Sequence, residues 1–260
     1  MRSLALFLLV AVAAAAQNAG PATLKEIGID QKLNSQAPLN LPFRDETGRS
    51  VRLGDYFGQR PVILSLVYYE CPMLCTLVLN GLVQTMRELP FTAAKQFEVV
   101  TVSFNPHETP ELAAAKKRTY LQDYTRPGAE RGWHFLTGDE PSIAALTTAV
   151  GFRYKYDPAT RQYGHATAII VLTPEGRVSR YFYGIEYPEK DVRLALVEAS
   201  HNRIGTPVDQ LLLLCFHYDP ATGKYGLAIL NATRALGAAT VLGLVFLMTI
   251  LLRREGRVKG

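Results

Sequence analysis

Strand-like and helix-like segments alternate along this chain and close in a hairpin, which predicts an α/β three-layer sandwich built on a mixed sheet. Three observations carry that prediction. Val62 to Tyr68 is apolar on successive positions, as a strand covered on both faces is, and Phe97 to Phe104 is a second strong strand pattern. Helical patterns at Leu77 to Leu89, Glu111 to Tyr124 and Glu140 to Val150 follow strand patterns in turn. Ala166 to Leu172 and Val178 to Tyr183 then flank Pro174-Glu175-Gly176, a turn that lays two strands side by side.

The ends of the 260-residue chain read differently from its middle. Met1 to Ala16 has a charged start, a short apolar run and a small-residue exit, the pattern of a secretory signal peptide. Ala235 to Leu252 is an uncharged apolar stretch long enough to span a bilayer, and it lacks the polar face of an amphipathic core helix. The basic tail 253–260 after it predicts a cytoplasmic C-terminus, with the main domain extracytoplasmic, on the periplasmic side. These ends account for the net charge of +5: four positive and one negative residue in the tail give +3, and Arg2 adds +1, leaving about +1 for the rest. The excess charge therefore reports membrane orientation, and no nucleic-acid partner is expected. Three cysteines are too few for a disulfide-stapled scaffold, so the core, drawn from 48% hydrophobic residues, must hold the fold.

In order, 17–36 reads as a polar tether and 37–205 as the folded domain. Leu39 to Asp45 and Ser50 to Leu53 form a hairpin over Thr47-Gly48-Arg49, and Gly54 to Pro61 turns the chain into the first central strand. The second, Phe97 to Phe104, runs into Asn105-Pro106-His107-Glu108-Thr109-Pro110, where Thr109 is placed to cap a helix with Pro110 at its first position. Trp133 to Leu136 leads to the helix Glu140 to Val150. Phe152 to Tyr156 is a strand, and Pro188 to Ile204 is the last helix of the domain. Residues 206–234 form an extension before the transmembrane segment. The similarity between 156–164 and 218–226, both built on Tyr-Asp-Pro-Ala-Thr, fits two uses of one hairpin turn, because nine residues are too few for a domain repeat.

Chemistry concentrates at Tyr68-Tyr69-Glu70-Cys71-Pro72-Met73-Leu74-Cys75-Thr76, where a buried strand becomes a helix. Free N–H groups and the positive dipole end of a helix start favour thiolate, which is both the nucleophile and the soft metal ligand. Spacing of i, i+4 puts Cys71 and Cys75 on one face of a first turn, or on a loop wrapped about one ion. His165, in Tyr163-Gly164-His165-Ala166-Thr167, stands just ahead of an apolar strand, where a loop presents its imidazole at a strand end.

Taken together, the hairpin, the Val62 to Tyr68 strand, Cys71-x-x-x-Cys75, Ser103-Phe104-Asn105-Pro106 with Thr109-Pro110-Glu111, and Gly164-His165-Ala166-Thr167-Ala168 with Thr173-Pro174-Glu175-Gly176-Arg177 resemble the SCO/SenC family over roughly Leu39 to His201. The resemblance implies a thioredoxin-like fold and copper delivery to cytochrome c oxidase. It places the copper ligands on Cys71, Cys75 and His165, a donor set suited to Cu(I) and Cu(II). The implied partners are the copper-receiving subunit of the oxidase and a copper donor or thiol reductant. One position departs from the family: Pro usually follows the second Cys, whereas here Thr76 follows and Pro72 lies inside the motif. The competing reading is a thiol-disulfide oxidoreductase with Cys71 and Cys75 as its catalytic pair, reducing the cysteines of an oxidase copper site. A third is a membrane-tethered binding module without turnover.

The remaining candidates have plainer roles. His107 and His134 read as loop or core-edge histidines, with neither a cysteine nor a carboxylate at ligand spacing. Tyr68 and Tyr69 are expected to pack the rim of the site. Cys215 and His217 alternate as on a strand and could face one side, although a buried apolar role for Cys215 is the expectation.

Overall fold

The computed structural model describes residues 26–204 and, beyond them, 218–219, 224–225, 234, 237 and 240–243. Contacts divide the chain into two units, 1–205 and 206–260. The first holds a five-stranded sheet whose strands lie in the order β10 (Val178–Tyr183), β9 (Ala168–Leu172), β4 (Val62–Val67), β5 (Glu98–Ser103) and β6 (Trp133–Leu136). Its centre is β4 and β5, parallel to one another and buried at every residue. β6 runs parallel to β5, and β9 pairs antiparallel with both β4 and β10.

Helices join these strands. α1 (Leu74–Glu88) follows β4, α2 (Pro110–Tyr124) follows β5, α3 (Glu140–Ala149) follows β6, and α4 (Glu189–Ser200) follows β10. α1 buries Cys75, Val78, Leu79, Leu82, Val83 and Met86, the i, i+3, i+4 stripe that turns one helical face to a core. It touches both α2 and α4, so the three share one side of the sheet. α1 also approaches the chain after β10 so closely that a Cβ on Gly81 would stand 1.8 Å from the Ile185 carbonyl oxygen. Inside the sheet, buried Thr101 Oγ1 lies 2.8 Å from Ser65 Oγ and accepts from Trp133 Nε1 at 3.0 Å, which satisfies three polar groups across β4, β5 and β6.

The mixed α/β architecture agrees with the expectation, as do the hairpin of β2 (Pro42–Arg44) with β3 (Ser50–Arg52), Pro110 at the first position of α2, and the cap of α3, where Asp139 accepts from the Ser142 N–H. Four details differ. Trp133–Leu136, expected only as a connection, is the edge strand β6, because its alternate side chains Trp133 and Phe135 fill the core. Thr109 stands at the cap position of α2 without a side-chain capping bond. β7 (Phe152–Asp157) does not join the central sheet. It pairs with β8 (Gln162–His165) and with β1 (Gly28–Ile29) in a separate three-stranded sheet. That pairing corrects the expectation for 17–36 over its described end. Asp30 N–H donates to Gly151 O, Asn34 N–H to Val178 O and Ala37 N–H to Gly176 O, so this segment satisfies its backbone on the domain and is no loose tether.

The repeated Tyr-Asp-Pro-Ala-Thr segments pair antiparallel in matching register, Tyr156↔Tyr163 in one and Tyr218↔Tyr225 in the other, and the expected second turn, 220–223, lies outside the described residues. The expected signal peptide 1–16, Cys215 and His217, and the tail 253–260 lie outside the described residues, as does most of Ala235 to Leu252. Among the described residues no helix is long and apolar enough to cross a membrane.

Candidate metal centre

Sheet register brings three separate loops to one edge. β5 runs parallel to β4 with Ser103 opposite Val67, so both 104–109 and 68–73 leave the sheet at the same end. β9 runs antiparallel to β4 with Ile169 opposite Ser65, so whatever precedes Ala168 lands beyond Val67. His165 closes β8 there, on a strand of the second sheet rather than on the loop expected from sequence.

Cys71 lies in the turn after β4 and Cys75 is the second residue of α1, so the pair wraps a loop rather than sharing one helical face. Both thiols are free and buried. The Cys75 N–H at the helix start donates to Cys71 Sγ at 3.3 Å, and the Tyr68 N–H donates to Cys75 Sγ at 3.3 Å. Cys75 Sγ lies 3.2 Å from His165 Nε2. The three ligand atoms all lie within 4.8 Å of one another, and this is the one such group of His, Cys, Asp or Glu among the described residues.

The imidazole is oriented by its other nitrogen. His165 Nδ1 sits 2.8 Å from the Ala166 carbonyl, which only accepts, so Nδ1 carries the proton and Nε2 turns its lone pair toward the thiols. The thiols are unequal. Hydrogen bonding from Cys75, aided by the Cys75 and Met73 N–H groups, pulls the Cys71 pKa down to about 3 against the opposing effect of burial. Burial first, and then its neighbour Cys71, pushes the Cys75 thiol well up. Cys71 is the thiolate and Cys75 the buried thiol.

An aromatic wall encloses the group. Ring centroids of Tyr68 and Phe104 lie 6.1 and 5.3 Å from that of His165, and Tyr163 packs on Tyr68 at 5.5 Å. Burial, with the nearby Cys71, holds the Tyr68 phenol above its usual range, so it stays neutral. Tyr69 is buried and donates from its hydroxyl to Leu136 O at 2.8 Å, anchoring the start of the cysteine loop. Outside, Met73 is 64% exposed and lies with Leu74 and Leu77 as an apolar rim. An open groove of about 700 Å³, lined among others by Pro72, Asn105, His107 and Tyr163, runs beside it.

The other histidines stand apart. His107 is an exposed loop residue, as expected. His134 is not without a carboxylate: its Nε2 lies 3.4 Å from Glu98 Oε2, across a strand pairing that spacing along the chain does not reveal. Sequence reasoning missed Glu108, whose buried carboxylate accepts the Tyr69 and Glu70 N–H groups at 2.7 and 2.8 Å. The signal that could have found it is the parallel pairing of the first two central strands, which sends the loop after each to the same edge.

The family model described as SCO1/SenC matches residues 31–198. No curated protein matches the chain. Among solved structures, a protein from Aquifex aeolicus VF5 provisionally described as an electron transfer protein is 26% identical, with a TM-score of 0.57, covering 65% of this chain and 95% of that one. A SCO1/SenC family lipoprotein from Bacillus anthracis str. Ames is 16% identical, with a TM-score of 0.53, covering 66% of this chain and 99% of that one. Arabidopsis thaliana ScoI with copper bound is 14% identical, with a TM-score of 0.50, covering 62% and 96%. At such identities the last two speak for the thioredoxin-like fold alone.

Proposed function

This chain belongs to the SCO1/SenC family, and from that premise we propose that it binds copper through Cys71, Cys75 and His165 and serves copper-site maturation in cytochrome c oxidase. The observation that carries the reading is the convergence of two sulfurs and one imidazole lone pair within 4.8 Å. That donor set fits copper: two soft thiolates favour Cu(I), the nitrogen extends the site to Cu(II), and among the described residues the Cys-Cys-His group has no fourth side-chain ligand of the kind structural zinc takes. Copper is here the cargo. The apolar rim of Met73, Leu74 and Leu77 and the adjoining groove leave the cysteine loop approachable by the copper-receiving subunit or by a copper donor.

We further assign residues 1–16 to a signal peptide, 235–252 to a transmembrane anchor and 253–260 to a cytoplasmic tail, with 206–234 and its Cys215 and His217 between domain and membrane. These assignments rest on sequence pattern and put the domain on the extracytoplasmic side.

A second reading is favoured by the inequality of the thiols. Cys71 thiolate would attack a disulfide in the oxidase copper site, forming a mixed disulfide. Cys75 would then resolve it, releasing the reduced dithiol and leaving a Cys71–Cys75 disulfide for a thiol reductant to restore. The test is copper bound per full-length chain with reduced thiols, compared with His165→Ala. One copper per chain, with Cu(II) binding lost in the variant, supports the ligand set. Unchanged Cu(II) binding in the variant removes His165 from it, and turnover of a disulfide substrate without copper binding moves the function to the second reading.

A further inference from the structure

The hydrogen-bond ladder between β4 and β5 ends where the Phe104 N–H meets Val67 O at 2.8 Å. Beyond it the chain after β5 turns away, and the next amides of the cysteine loop have no strand to bond. Tyr69 is buried and Glu70 stands at the surface, and a buried N–H left in that state is costly, so the Tyr69 amide must be met by something else. What meets both amides is one side chain. Glu108, 6% exposed, comes from the turn before α2 and accepts the Tyr69 N–H on Oε2 at 2.7 Å and the Glu70 N–H on Oε1 at 2.8 Å. Ser103 Oγ donates to the same Oε2 at 2.5 Å and itself accepts the Asn105 N–H at 3.1 Å, which directs the hydroxyl proton toward the carboxylate.

We propose that Glu108 is the positioning residue of the metal loop, using both carboxylate oxygens to hold Tyr69 and Glu70 so that Cys71 is delivered beside Cys75 and His165. Cys71 is the next residue after the clamped pair, and its own N–H turns back to Tyr68 O at 3.2 Å. The loop is thus fixed at its root by Glu108, while the Cys75 N–H meets it at its tip on Cys71 Sγ. A carboxylate is required because two neighbouring donors need two acceptors. A carboxamide of the same shape offers one oxygen and would turn an NH₂ toward the other N–H. The loop gains order with no bulk added to the face through which a partner reaches the thiols.

The inference rests on the copper reading, and the experiment separates the two. The full-length chain in detergent, with reduced thiols, would be compared with Glu108→Gln and Glu108→Ala. Amide hydrogen exchange at Tyr69 and Glu70, measured without metal, is expected to lose protection in both variants. Cu(I) affinity, measured by competition with a chromogenic chelator, is expected to weaken by about 10- to 100-fold, the size seen when a ligand's supporting shell is removed. The thiolate-to-copper absorption band of the Cu(II) form is expected to move in Glu108→Gln. Wild-type protection, affinity and band in Glu108→Gln overturn the proposal, as does a fall in melting temperature alone with the band unmoved. If the wild-type chain binds no copper, the copper reading fails, and the exchange measurement still judges Glu108: retained protection overturns it, lost protection supports it. Should Glu108→Ala not fold, Glu108→Gln, which keeps the volume, decides.

Discussion

At the amino end of β4 and β5, Glu98 meets the guanidinium of Arg60 at 2.7 Å and the imidazole of His134 at 3.4 Å. At the carboxyl end Glu108 meets two backbone N–H groups and a serine hydroxyl, and the nearby imidazole of His165 faces sulfur instead. Both ends hold a buried glutamate and a histidine on one scaffold, yet the partners differ in kind. Glu98 takes a cationic side chain, and His134, packed against Tyr56 with ring centroids 4.2 Å apart and planes tilted by 35°, spends its Nε2 on the carboxylate. Glu108 takes neutral donors, and His165 spends its Nδ1 on a carbonyl and keeps the Nε2 lone pair for the thiols. The lesson is that what a histidine can bind follows from what its second nitrogen has already been given.

The largest expected effect separates the two histidines directly. Cys71→Ser or Cys75→Ser should abolish Cu(I) binding, and His165→Ala should cost more than the about 100-fold upper end seen for supporting residues. His134→Ala should leave copper binding at the wild-type value. Chelator competition on all four variants checks this, and equal losses for His134→Ala and His165→Ala would erase the distinction between the ends.

Next, Arg60→Ala should lower the free energy of unfolding by about 1–3 kcal/mol, because it removes the main partner of a buried carboxylate. Denaturant titration reads that loss, and copper stoichiometry should not change. A parallel fall in copper per folded chain would mean that the two ends are coupled.

The thiols supply a pH test. The folded pKa of Cys71, about 3, lies below that of an ordinary thiol. Its contribution to stability is therefore complete above the unfolded value and is lost as pH falls toward the folded one. The alkylation rate of Cys71 in the metal-free chain should accordingly stay flat between about pH 5 and 8, where an ordinary thiol's rate climbs with its thiolate fraction. A rate rising tenfold per pH unit would show Cys71 protonated.

The smallest effect is expected at Thr76, the residue directly after the second cysteine. It stands in the first turn of α1, whose N–H groups have no helical acceptor, and its hydroxyl reaches Cys71 O only at 3.5 Å. Thr76→Pro should shift stability by about 0.5 kcal/mol or less. A larger loss of copper affinity than of stability would make Thr76 part of the site.

Much was legible in the residue pattern alone. Strands of continuous apolar character, a helix stripe through Val78, Leu82 and Met86, and two cysteines at a strand-to-helix turn are local signals, and local sterics and hydrogen bonding suffice to express them. Motif order along the chain named the family, and the family model agrees over 31–198. The short β6 and the departure of β7 to a second sheet were not legible, since four to six residues carry too little pattern to tell which sheet they will join.

By itself the sequence determined which chemistry was available: two thiols at a helix start, a scarce histidine, and a hydrophobic core able to bury them. Tertiary structure alone decided which groups meet. Cys75 and His165 are ninety positions apart, and they touch because an antiparallel register puts the start of β9 beyond the end of β4. Glu108 reaches Tyr69 because the parallel register of β4 and β5 sends both following loops to one edge. Register is a property of paired strands, and no single strand's sequence contains it.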